Sequence, residues 1–273
     1  VDRAGEKAFK TVTDQPNLPG SVRILDVAGE GYRRAFALFM TGTDEKVVTH
    51  DYLKALVDQL PRRTLFVDVG AGDGVTTRYV GRYFEHTIAI EPSAPMRQAL
   101  RRACPDAVVL NEPIDEVELD VRADLALCSH MLYYVPESAW LDTVRRVLNW
   151  VAPSGELLVM LQNPENECMR MVRDFTGVRF DLSDLARGLE PNGNGLVESV
   201  TMVTLPTRYR STNLAEAFDV AELMINVPAL RSMRLPSRQE LETYVVQHFS
   251  DPEGAICITH SHDILTVRRS SMS

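Results

Sequence analysis

The stretch Asp68-Val69-Gly70-Ala71-Gly72-Asp73-Gly74 carries the strongest chemical signal in the chain. Glycines at alternate positions let a backbone turn sharply and approach a ligand with no Cβ in between. The apolar run TLFVDV (64–69) precedes the turn and the helix-patterned VTTRYVGRYF (75–84) follows it. A glycine turn between a strand and a helix is the setting of a nucleotide- or nucleoside-binding loop. Glu91 closes the next apolar run, TIAIE (87–91), where an acid takes the ribose hydroxyls of a nucleoside. A nicotinamide dinucleotide site prefers G-x-G-x-x-G, which aims a helix N-terminus at pyrophosphate. Here the spacing is G-x-G-x-G behind Asp68, which suits a nucleoside without pyrophosphate.

A second group lies in Cys128-Ser129-His130-Met131-Leu132-Tyr133-Tyr134-Val135-Pro136, after the fourth apolar run. Ligands of doubly wound sheets bind beyond the carboxyl ends of the strands. That places Ser129 and His130 beside the cofactor, and Tyr133 and Tyr134 beside an entering substrate. Aromatic faces attract cations by roughly 0.5–2 kcal/mol, although each tyrosine could equally be core. After the third run, Glu112, Ile114 and Asp115 are candidates for the adenine pocket, against a plain acidic loop. Glu45, in Thr43-Asp44-Glu45, begins a helix, where a surface acid is also favoured by the dipole. His260 and His262 alternate on a strand-like stretch and so share a face, with Asp263 opposite. No Asp, Cys or Glu cluster completes a ligand set in the sequence, so no metal site is expected. His50, His86 and His248 have no such context and are expected in solvent.

These residues need elements to hold them. Buried-strand runs fall at 64–69, 87–91, 107–111, 123–129 and 156–162, with helical patterns at 75–84, 93–104 and 138–151 between them. That alternation predicts an α/β fold: a Rossmann-like sheet with helices on both faces. Extended segments at 199–209 and 255–267 bring the sheet to seven strands. Helices are expected at 31–40, from Thr43 to about Leu60, and at 164–176, 213–226 and 237–249, with a turn-rich connection at 188–197. The first 20 residues read as a loosely held segment and 21–273 as one domain. Within it, 64–162 form the cofactor half, while 21–63 and 163–250 form a helical cap over the substrate pocket.

Composition narrows the partners. The chain has 273 residues, 29 Lys plus Arg against 38 Asp plus Glu, and a net charge of −9. An acidic chain of this kind is a poor partner for the nucleic-acid backbone. No apolar run approaches the roughly 20 residues that span a bilayer. The charged N-terminus has no signal core, and four scattered cysteines read as reduced thiols in a cytoplasmic protein. No exposed stripe announces an oligomeric state.

The Asp68–Gly74 loop with Glu91 resembles the class I S-adenosylmethionine-dependent methyltransferases. Three further segments, FALFMTGTDE, EPSAPM and SHMLYYVPE, are similar to the histamine N-methyltransferase family, and the likeness runs from about Tyr32 to Val267. The resemblance implies S-adenosylmethionine bound by Asp68, Gly70, Ala71, Gly72, Gly74, Glu91, Pro92, Met96, Ser129 and His130. It implies a small amine acceptor held by Glu45, His130, Tyr133, Tyr134 and His260, with histidines where that family has a glutamine and an asparagine. The runner-up reactions are cyclisation of S-adenosylmethionine to azetidine-2-carboxylate with release of methylthioadenosine, and cofactor binding without catalysis. A dehydrogenase is the weakest rival.

Overall fold

The computed structural model describes residues 20–26, 29–191 and 196–271. The N-terminal segment, apart from Gly20, and the middle of the turn-rich connection lie outside them. The apolar runs become β1 (Leu65–Val69), β2 (His86–Ile90), β3 (Val108–Leu110), β4 (Ala123–Ser129) and β5 (Val151–Gln162), followed by β6 (Val197–Leu205), β7 (Arg208–Ser211), β8 (Ile256–Thr259) and β9 (His262–Arg269). Seven of these form one sheet in the order β3-β2-β1-β4-β5-β9-β6. The strands from β3 to β5 pair in parallel, and β9 runs antiparallel between β5 and β6. This is the expected Rossmann-like sheet. From β1 the chain steps outward to β3 and then returns to β4 on β1's other side. A crevice therefore opens beyond the carboxyl ends of β1 and β4.

The helices are α1 (Glu30–Gly42), α2 (Glu45–Gln59), α3 (Val75–Gly81), α4 (Ala94–Ala103), α5 (Trp140–Trp150), α6 (Glu167–Thr176), α7 (Ser183–Leu189), α8 (Leu214–Met224) and α9 (Arg238–Phe249). On one face of the sheet, Val144 and Val147 of α5 and Leu185 of α7 pack on Val67, Leu157 and Val159. On the other, Leu53 and Val57 of α2 and Val80 of α3 pack on Phe66, Leu125 and Leu158. A third core lies in the cap. It joins Phe39 of α1, Met171 of α6, Val220 of α8 and Leu241 of α9 to Tyr209, Ile256 and Ile258.

Several boundaries differ from the sequence reading. The single strand expected at 255–267 is two strands, β8 and β9, in different sheets. The extended segment 199–209 likewise divides into β6 and β7, and β7 pairs with β8 in a small separate sheet. The division at Ser261 has a local cause. Its carbonyl accepts from Asn163 N–H at 2.7 Å and from Asn166 Nδ2 at 2.9 Å, which takes it out of any ladder. The helix expected to run to Val151 stops at Trp150, and β5 starts at once, carrying Pro153 through an irregularity with Ser154 at φ 64°. Helix α7 was not expected, because a short helix has too few turns to display a period.

Candidate active site

The glycine loop forms as the spacing requires. Gly70, Gly72 and Gly74 have φ of 76°, 57° and 84°, in the left-handed region that glycine alone enters readily. A Cβ on Gly70 would stand 2.6 Å from the Met131 Cβ, so this glycine lets β1's loop meet the segment after β4. Nothing lies within 4 Å of a Cβ built on Gly72, which leaves space for a ligand against the backbone. The loop's amides bond within the protein. Gly70 and Ala71 donate to the Ile90 carbonyl, Gly74 donates to the Ala71 carbonyl, and Gly72 N–H donates to Glu91 Oε2 at 2.8 Å. With those donors engaged, the loop is poorly equipped to cradle pyrophosphate.

Glu91 is buried at the end of β2, and its Oε1 accepts from Ser93 N–H at 2.7 Å. The carboxylate is thus held against the loop where ribose hydroxyls would arrive. Asp68 lies deeper. Its Oδ2 accepts from the Thr77 hydroxyl at 2.6 Å and braces β1 to α3. Burial pushes its carboxyl up to about 6, with Thr77 opposing. Pro92 is exposed and Met96 half-buried beside Glu91, while Glu112 and Asp115 are exposed and Ile114 packs partly on the core. S-adenosylmethionine fits this half of the crevice through the open face at Gly72 and the carboxylate of Glu91.

The second half gathers residues from distant parts of the chain. Glu45, the first residue of α2, is only 8% exposed, so the surface-acid reading fails. Its amide donates to Thr43 Oγ1, so Thr43 serves the helix start although Asp44 is the cap. His130, one residue beyond β4, is held at φ 55° and its N–H donates to the Met160 carbonyl. A non-glycine residue at positive φ carries strain that accumulates at functional sites. The His130 ring lies parallel to Tyr133 at 5.9 Å and edge-on to His262 at 4.7 Å. Tyr133 is fixed by Phe180 against its ring and by Gln162 N–H, which donates to its hydroxyl at 2.8 Å. Tyr134 is 66% exposed and stands at the rim with Tyr32 of α1 in electrostatic reach.

His260 and His262 are fully buried, with ring centres 5.7 Å apart. They meet across the passage from one sheet to the other, not along one strand. Glu45 lies against them, with Oε2 3.9 Å from His262 Nε2 and Oε1 3.3 Å from Lys46 Nζ. The ligand atoms of Glu45, His260 and His262 all fall within 4.8 Å of one another. This corrects the expectation that no carboxylate completes the histidine pair: Glu45 does so through tertiary folding.

The electrostatics follow from burial. Burial pushes the Glu45 carboxyl up, but the Lys46 ammonium and the neighbouring histidines outweigh it and hold it at about 2. Burial lowers His130 to about 4 and keeps His260 and His262 below the ordinary histidine value, against the pull of Glu45. The pocket near neutral pH is therefore one carboxylate, paired on one side with the Lys46 ammonium, among neutral imidazoles. Both ring nitrogens of His262 and Oε1 of Gln162 are buried without a hydrogen-bond partner. Sequence reasoning missed Lys46, Gln162 and Tyr32 and left His262 outside the site. It also misjudged His50, which is half-buried and stacked on Tyr79 at 3.9 Å, whereas His86 and His248 are exposed.

A Rossmann-like sheet with a glycine loop after its first strand and a buried acid at the end of its second is the architecture of nucleoside- and nucleotide-binding enzymes, and a helical layer stands beside its crevice. Residues 43–223 match the methyltransferase domain family, and the chain belongs to it. It is an S-adenosylmethionine-dependent methyltransferase. An uncharacterized methyltransferase of Mycobacterium tuberculosis is 27% identical over 198 residues, 64% of this chain and 78% of that protein. Among solved structures, the YcgJ protein of Bacillus subtilis aligns with a TM-score of 0.56 at 16% identity, over 81% of this chain and 99% of that one. The N-methyltransferase NodS of Bradyrhizobium japonicum, in complex with S-adenosylhomocysteine, aligns with a TM-score of 0.54 at 10% identity, over 88% and 99%. At these identities the two structures speak to fold alone. Among the described residues, no helix is long and apolar enough to cross a membrane.

Proposed function

We propose that the protein methylates the amine nitrogen of a small molecule, held in the pocket of Glu45, His130, Tyr133, Tyr134 and His260. The observation that carries this reading is the buried, ionised Glu45 carboxylate among uncharged imidazoles. Lys46 pairs with Oε1 at 3.3 Å and leaves Oε2 on the side of the histidines, where a buried carboxylate oxygen favours a cationic partner such as an ammonium group. The likeness to histamine N-methyltransferases, read from the sequence, points the same way. S-adenosylmethionine supplies a methyl on positive sulfur, which departs as a neutral thioether and needs no acid.

The chain's own residues have three tasks. Glu45 draws the ammonium in and orients it. A bound ammonium has no lone pair, so one proton must leave before the nitrogen can attack. His130, which burial lowers to about 4, is too weak a base to take that proton from an ammonium, so the proton leaves to solvent and the neutral imidazole serves to orient the nitrogen. Tyr133, with its ring fixed on both sides, walls the path and limits water.

The test is mass spectrometry of products from amine, hydroxyl and thiol panels, with a control lacking any acceptor. S-adenosylhomocysteine with a methylated amine is the expected result. Transfer to hydroxyls or thiols with amines inert, or methylthioadenosine in the control, would overturn the reading.

A further inference from the structure

We propose that Glu45, His260 and His262 form a binding site for a divalent transition-metal ion of the zinc class. The geometry between Glu45 Oε2 and His262 Nε2 is the starting point. Their 3.9 Å separation is too long for a hydrogen bond. At tetrahedral angles a bridging water or ammonium would hold its partners about 4.6 Å apart and a metal ion about 3.4 Å apart, so the gap lies between the two. Two ligands at roughly 2.0–2.2 Å from one ion can stand up to about 4.2 Å apart. The gap is therefore within the span of one ion, and the ligand atoms of all three residues lie within 4.8 Å of one another.

His262 supports the assignment independently. It is fully buried, and neither ring nitrogen has a partner. A buried imidazole with both nitrogens unengaged is costly unless a ligand completes it. His260 is prepared by its neighbours. The Thr207 hydroxyl donates to the His260 carbonyl at 3.0 Å and stands 3.1 Å from Nδ1. With that hydroxyl proton committed, Nδ1 must carry the ring proton and donate to Thr207. Nε2 then holds the lone pair, now facing the Thr43 hydroxyl at 2.8 Å. Metal-bound histidines characteristically donate their second N–H in this way. Loading the site turns the Thr43 hydroxyl aside. Two imidazoles and a carboxylate make a set known for zinc and other borderline divalent ions. Lys46 engages Oε1 and leaves Oε2 for the ion.

This inference shares Glu45 with the acceptor pocket but does not need the acceptor to be an amine, so it is tested with neither acceptor nor cofactor present. Full-length protein, stripped with chelator, is titrated with Zn²⁺ alone by calorimetry and with Co²⁺ alone by visible absorption. One equivalent of Zn²⁺ and a ligand-field band from Co²⁺ are expected. His262→Ala and Glu45→Gln should each weaken binding at least tenfold, while the exposed-site control His86→Ala should bind as the parent does. Each variant is first shown to be folded by its retained binding of S-adenosylhomocysteine. Absence of stoichiometric binding in the parent, or binding unchanged in both folded pocket variants, would overturn the proposal. Failure of amine methylation with metal binding intact would instead count against the acceptor reading.

Discussion

Glu45 and Asp68 are both buried carboxylates, and their surroundings give them opposite characters. Glu45 has Lys46 and the histidines to keep it ionised, whereas Asp68 has one hydroxyl and is pushed up to about 6. Glu45→Gln preserves shape and removes charge. It should lower kcat/KM for an amine acceptor by about 100-fold or more, while the Kd for S-adenosylhomocysteine changes less than about twofold. Equal losses in both would assign Glu45 to the cofactor instead. For Asp68 the sign runs the other way from an ion-paired acid. Its folded value lies above the unfolded value near 4, so the native state binds the extra proton between about pH 4 and 6. This group's contribution to stability falls as pH rises through that window, and ionised Asp68 costs about 2–3 kcal/mol at neutral pH. Denaturant melts should show the parent losing stability relative to Asp68→Asn between pH 4 and 6, with a constant difference above.

The loop after β1 and the passage between β8 and β9 are the elements that turn isolated residues into a site. Gly70 and Gly72 share a backbone requirement but face different surroundings. Gly70→Ala drives a Cβ to 2.6 Å from Met131 and should destabilise the protein by about 1–3 kcal/mol. Gly72→Ala meets nothing within 4 Å, so its stability cost should be about 1 kcal/mol. Its larger effect should be on the Kd for S-adenosylhomocysteine, measured by calorimetry, because the new methyl fills the open face. Asn166 does two jobs at the passage. Its Oδ1 caps α6 by accepting from Met169 N–H at 2.7 Å, and its Nδ2 holds the Ser261 carbonyl. Asn166→Ala should cost about 1–2 kcal/mol in thermal unfolding. It should also reduce turnover, because Ser261 lies between the two buried histidines.

At the scale of the whole molecule, the cap is bound to itself as well as to the sheet. Glu222 of α8 is fully buried and accepts from Arg23 Nε at 2.7 Å and Arg238 Nη1 at 3.0 Å. These bonds tie the chain's early segment to α8 and α9 beside the cap core, while α2 carries Glu45 to the sheet. A ligand that binds only the folded protein stabilises it by about 2.7 kcal/mol at a hundredfold excess over Kd. For a chain of this length that corresponds to roughly 5–10 °C in Tm. S-adenosylhomocysteine should produce such a shift in a thermal melt and NAD should not. A comparable shift with NAD would contradict the reading of a loop whose amides are already engaged.

The cofactor half was legible because its signals are local. A strand period, a glycine turn and the acid at the next strand's end all lie within Leu65–Glu91, and backbone sterics tie each residue type to its conformation there. The same locality explains the correct reading of the parallel core. The acceptor half was not legible in this way. By local pattern alone Glu45 reads as a helix-start surface acid; the family resemblance names it as an acceptor residue, and the packing of α2 against the sheet buries it. His262 could be paired with His260 by their spacing, but the strand drawn through both was wrong, because Asn163 and Asn166 divide it at Ser261. The sequence by itself determined the Rossmann-like sheet and its nucleoside loop, through interactions between near neighbours. The family resemblance grouped Glu45, His130 and His260, but tertiary structure alone decided that they are buried and that His262 joins them, because burial and charge there arise from segments more than 200 residues apart.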